Sequence, residues 1–175
     1  MKSKVVAAMA LAAAALAGSA HAAYGPEAGQ PTSAPGGYSQ VVTSRTVGED
    51  GARLRGRSLG VRVQVRVARG SFDAPVQLRV LRPKRRALTV AVRAVGRVLA
   101  GVGVAASRPS GRAVNRLPAT IRVLLRVADL PPDALVLRYD AKRGRYVKVA
   151  FRARRDGTIV VRSRRPVALV VVDPR

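Results

Sequence analysis

From Val61 to Val67 apolar and polar residues alternate without a break, with Val61, Val63, Val65 and Val67 on one side and Arg62, Gln64 and Arg66 on the other. Side chains alternate across a strand, so this spacing predicts a half-buried strand with an apolar face and a basic face. The period returns at Val76, Leu78 and Val80 against Gln77 and Arg79, after a turn carrying Gly70, Asp73 and Pro75. It is clear again at Ile121, Val123, Leu125 and Val127 against Arg122, Leu124 and Arg126. Leu135, Leu137 and Tyr139 make the apolar side of a further strand, and Val147, Val149 and Phe151 that of one over 146–153. Asp140 to Gly144 and Asp156-Gly157 are hairpin signals, Thr158 to Ser163 follows, and Pro166 opens a last strand over 167–172.

Other stretches are less regular. Ala87 to Val95 is rich in β-formers, and Val98 to Ala105 holds Gly101 and Gly103, a sign of a bulge or a close backbone approach. Ser107 to Leu117 reads as a polar loop, and Asp129 to Asp133 as a turn. No amphipathic helix pattern stands out beyond the amino-terminal run. About eight strands result, and the abundant Val favours sheet through its branched Cβ. The expected fold is all-β, an antiparallel two-sheet β-sandwich over 59–175. A membrane β-barrel would also alternate, but it needs aromatic girdles, and two Phe, four Tyr and no Trp do not supply them.

The amino terminus follows another grammar. Lys2 and Lys4 precede an apolar run from Val5 to Ala17, then Gly18, Ser19 and Ala20-His21-Ala22. A basic start, a short apolar core and small residues at Ala20 and Ala22 predict a signal peptide over 1–22, cleaved after Ala22. A membrane anchor would need about 20 apolar residues. The product is therefore expected to be exported, periplasmic or at the cell surface. Without Cys it has no lipid-attachment site and no disulfide. Residues 23–58, punctuated by Pro26, Pro31, Pro35, Gly36 and Gly37, read as a flexible Gly/Pro/Ser-rich leader, within which 41–47 suits a short edge strand.

The stretch from Val65 to Val80 reads Val-Arg-Val-Ala-Arg-Gly-Ser-Phe-Asp-Ala-Pro-Val-Gln-Leu-Arg-Val. It resembles the strand, Gly-small-Phe turn and Pro-Val strand of immunoglobulin-like sandwich modules in bacterial exported and surface proteins. Leu137-Arg138-Tyr139-Asp140, Gly144-Arg145-Tyr146, Asp156-Gly157-Thr158 and the closing apolar strand are similar to the same modules. Tyr146 stands where many of them carry Trp. The resemblance implies a non-catalytic module, adhesive or structural, and transfers no functional residue.

Composition narrows the chemistry. The only His is His21, inside the predicted signal, so the remaining chain has neither His nor Cys. Ser-His-Asp and Cys-His nucleophilic sites, thiol redox chemistry and ordinary zinc sites are thereby excluded. The acids Asp73, Asp129, Asp133, Asp140, Asp156 and Asp173 mostly fall in turns, where Asp serves the backbone. Asp129 and Asp133 share a loop, but a Ca²⁺ there would want six to eight oxygens within a positive field. No phosphate-binding Gly-rich loop opens a helix. The reading is of a non-enzyme without metal or cofactor.

Charge is the strongest compositional signal. The 33 Lys and Arg against 9 acids give +24, or +22 once Lys2 and Lys4 are removed. A GC-rich genome accounts for Arg over Lys, but not for so few carboxylates. Arg62, Arg66, Arg79, Arg122, Arg126, Arg138, Lys148, Arg152 and Arg162 all fall on outward strand positions. Turn clusters add Arg82, Lys84, Arg85 and Arg86, then Lys142-Arg143, Arg154-Arg155 and Arg164-Arg165. Planar guanidinium groups take phosphate and carboxylate through paired hydrogen bonds, so adjacent strands would form a polyanion-binding lattice. The expected partners are an anionic glycan, a wall polymer or lipid headgroups. The competing reading is a solvated face whose Arg stems cover Val beneath. Aromatics are too few for a single-strand nucleic-acid platform.

Overall fold

A computed structural model describes residues 31–174. The predicted signal, with Ala20 and Ala22, lies outside them. A 3₁₀ turn at Pro31–Ser33 leads into β1 (Gln40–Val47), β2 (Ala52–Ser58), β3 (Val61–Val67) and β4 (Val76–Arg82). A helix, α1 (Arg85–Val92), precedes β5 (Arg97–Ser107), β6 (Ile121–Arg126), β7 (Leu135–Asp140) and β8 (Arg145–Lys148). The two-residue β9 (Arg152–Ala153), β10 (Thr158–Ser163) and β11 (Val167–Asp173) complete the chain. Two antiparallel sheets form, in the orders β1-β4-β5-β11-β7-β8 and β2-β3-β6-β10-β9. The all-β sandwich expected from the alternation is what the chain adopts, with eleven strands rather than about eight.

Apolar side chains of both sheets meet between the layers. Leu54, Val63, Val65, Val123, Leu125 and Ile159 of the five-stranded sheet pack against Leu78, Val80, Val102, Val104, Leu169 and Val171 of the six-stranded one. A second apolar layer lies on the far side of the six-stranded sheet. There Leu81, Ala105, Leu137, Ala168 and Val170 are covered by Ala34, Tyr38, Leu88 and Val92. This sheet is thus buried on both faces, so β11 is apolar at six successive positions and every residue in it is buried. Strands covered on both faces lose the alternation that a one-sided strand keeps.

At Gly101 and Gly103, where a bulge or a close backbone approach is expected, it is side chains that come close, and the missing Cβ atoms permit this cover. A Cβ on Gly103 would sit 2.9 Å from the Tyr38 ring and 3.0 Å from Pro31, and one on Gly101 would sit 2.6 Å from Leu88. A register shift opposite Val171 and Val172 adds the bulge. The Tyr38 hydroxyl lies 3.3 Å from the Leu169 carbonyl, to which it donates, and 3.1 Å from the Tyr146 hydroxyl. Tyr146 donates to the Pro35 carbonyl at 2.6 Å and meets Tyr139 edge-on.

Three expectations need correction. The strand expected over 146–153 is broken in two, β8 pairing with β7 in the six-stranded sheet and β9 with β10 in the five-stranded one. Within the leader assigned to 23–58 the edge strand expected over 41–47 is β1, but 52–58 is also sheet, β2 pairing with β3 along its whole length. Gly56 reads as a linker residue, yet it is required by packing: a Cβ there would collide with Val42. The β-rich stretch over 87–95 is mostly α1, whose Leu88 and Val92 face the sheet one turn apart. Helical spacing of four puts both on one face of this short amphipathic segment, which covers the sheet.

Candidate polyanion interface

The outer face of the five-stranded sheet is where the arginines gather. Register places Arg53 opposite Arg66, Arg66 opposite Arg122 and Arg122 opposite Arg162, one side chain from each of four adjacent strands. A second tier runs Arg57, Arg62, Arg126, and ends at Thr158. Between the tiers lies a row of Arg55, Gln64, Leu124, Val160 and Arg152, whose three interior members are neutral. None of these positions holds an acid. Neighbouring strands are about 4.8 Å apart and alternate residues about 6.6 Å apart, so the face is a dense cationic grid.

Directly opposed like charges destabilise a strand pair. Here that arrangement recurs across three successive pairs in one tier. Arg66 sits at its centre, half-buried, with its Nε donating to Gln64 Oε1 at 2.9 Å. Its pKa is lowered, first by loss of water and then by Arg53, Arg154, Arg55 and Arg122 around it. Leu124 points outward yet is only 7% exposed. It lines two arginine-walled concavities, so stems of the surrounding arginines do cover apolar floor here.

Both concavities include Arg66, Leu124 and Arg154. One collects Arg55, Arg62 and Arg126 as well, and the other Arg122, Arg152 and Arg162. A further groove, lined by Arg53, Arg66, Arg122, Arg162 and Arg164, runs along the outer margin. Asp156 lies at one corner of the face. It accepts from the Thr158 amide at 3.1 Å and hydroxyl at 3.0 Å, and these bonds, with Arg126 nearby, lower its pKa. The ion pairs Arg97–Asp173 and Arg143–Asp140 belong to the other sheet and neutralise none of this face.

The structure therefore brings together Arg62, Arg66, Arg122, Arg126, Arg152, Arg154 and Arg162 of the expected lattice, with Arg164 at its margin. It separates the rest. Arg79 lies on β4 in the six-stranded sheet. Arg82, whose Nε donates to Gln40, ends the same strand, Lys84 precedes α1, and Arg85 and Arg86 begin it, Arg85 donating to the Leu59 carbonyl. Arg155 turns in the β9–β10 hairpin beside Leu130 and Pro131. Arg165 lines a groove with Arg116 and Arg138 instead. Arg53, Arg55 and Arg57 are the members that the pattern reading omitted. Their period of two was visible, but Ala52, Gly56 and Ser58 on the inward side hid the apolar partner of the alternation.

No family model, curated protein or solved structure matches the chain. Among the described residues no helix is long and apolar enough to cross a membrane. No three His, Cys, Asp or Glu side chains gather there as a metal-holding group. Asp129 takes a turn conformation with φ of 51°.

Proposed function

We propose that this protein is an exported, cationic, non-catalytic β-sandwich of the cell envelope that holds anionic polymers or lipid headgroups on its arginine face. The observation that carries the reading is the tier Arg53-Arg66-Arg122-Arg162, like charges opposed across four neighbouring strands without an acid among them. Such a tier costs the isolated fold stability, and anions laid along it turn repulsion into paired hydrogen bonds. Export rests on the pattern from Lys2 to Ala22.

The test is retention of the chain lacking 1–22 on immobilised heparin and on anionic liposomes, across a salt gradient. Strong retention that falls steeply with salt is expected. Elution where a neutral sandwich of similar size elutes would remove the proposal. A second reading, a structural or protein-interaction module with incidental charge, draws on β1, an outer strand whose Val41 is 49% exposed. It requires a protein partner that crosslinks in cells and survives high salt.

A further inference from the structure

The arginine face is not charged evenly. Its two tiers stand four residues apart along each strand, Arg62 to Arg66 on β3 and Arg122 to Arg126 on β6. That is about 13 Å at the backbone. The floor between them is Gln64, Leu124 and Val160. Over this floor lie the two concavities, each walled by five arginines and meeting at Arg66, Arg154 and Leu124; the one with Arg62 and Arg126 also includes Asp156, whose carboxylate is held by Thr158.

A polymer with regular, closely spaced charges would leave its middle groups over the neutral floor. A carboxylate, moreover, occupies one guanidinium fork, whereas a phosphoryl group carries up to two charges and three acceptor oxygens and can engage several. We propose that the face takes a ligand with two phosphoryl groups held apart by a neutral, sugar-sized span, one group in each concavity and the span over Leu124. The proposal rests on the polyanion reading and sharpens it. Such chemistry occurs in a phosphorylated glycan in solution or in a glycolipid headgroup.

Calorimetric titration distinguishes these cases. The probes are a disaccharide with a phosphate at each end, the same disaccharide with one phosphate, and phosphatidylcholine vesicles displaying the diphosphate as a headgroup; heparin is run in parallel. The diphosphate is expected to bind about tenfold or more tighter than the monophosphate, since a second charge-assisted set of bonds adds well over the 1.4 kcal/mol that tenfold requires. The double variants Arg62→Gln with Arg126→Gln, and Arg122→Gln with Arg162→Gln, should each abolish that preference while monophosphate binding persists. All four side chains are exposed, and a thermal melt verifies that each variant folds. Binding of the soluble diphosphate assigns a free glycan, and binding only on vesicles assigns the lipid source. Equal affinity for the two disaccharides with heparin retained overturns the two-group proposal and leaves the polyanion reading standing. Loss of heparin binding as well overturns both.

Discussion

Neutralising one tier should change the salt dependence of polyanion binding, and the size of the change follows from the register. The two tiers contribute seven arginines, of which Arg53, Arg66, Arg122 and Arg162 make up one. For a single-stranded polyphosphodiester, log K falls against log salt with a slope of about −0.7 per neutralised phosphate, so seven contacts give about −5. Replacing the four-arginine tier with Gln leaves three contacts and a slope of about −2. Between 50 and 200 mM salt the parent should lose about a thousandfold in affinity and the variant about twentyfold. Fluorescence anisotropy of a labelled oligothymidylate, used only as a calibrated polyanion, reads both slopes. The matched control replaces Arg82, Lys84, Arg85 and Arg86, which removes the same charge from the β4–α1 corner. Its slope should stay near −5. If the two variants flatten the slope equally, net charge alone governs binding and the face assignment is wrong.

Three other expectations concern the fold that carries this face. Burial pushes the Tyr38 hydroxyl well above its ordinary pKa, and burial pushes that of Tyr146 up to about 12. Unfolded Tyr ionises near 10, so above that pH the unfolded chain binds fewer protons and stability falls as pH climbs. Tyr38→Phe should lower stability at neutral pH by about 1 kcal/mol and soften the alkaline decline, both read by urea melts from pH 7 to 11.5; an unchanged alkaline limb would contradict the assignment. Gly103→Val drives a side chain into Tyr38 and Pro31 and should cost about 1–3 kcal/mol, whereas an unmoved urea midpoint would mean that the 31–38 segment does not pack there. A chain beginning at Leu59 loses β1 and β2, including the buried Val47 and Leu54. It should give no cooperative melt, and a sharp transition would restore 23–58 as a dispensable leader.

Alternation was a sound guide wherever one face of a strand meets solvent. β3 and β6 could be read residue by residue, and with them Arg62, Arg66, Arg122 and Arg126. The guide fails where both faces are covered, because β5 and β11 then lack a polar side that would mark orientation. It fails too where backbone proximity replaces apolar bulk, as at Gly56 in β2. Strand order was beyond local pattern altogether. Nothing in the period of β4 separates Arg79 from Arg66, yet pairing sends the two strands to different sheets. The helix over 85–92 was missed because eight residues hold only two core contacts, Leu88 and Val92, among several β-branched neighbours.

The segment from Pro31 to Tyr38 crosses the six-stranded sheet on the side away from the arginines. The molecule consequently has a front and a back. Two sheets stacked about 10 Å apart separate the arginine face from the side on which Tyr38, Leu88 and Val92 pack. The back is different in kind: Tyr38 is buried beneath it, and α1 carries Arg85 and Arg86 at its exposed start. If the proposed face holds an anionic surface, every copy lies the same way up, and the covered surface gains one orientation.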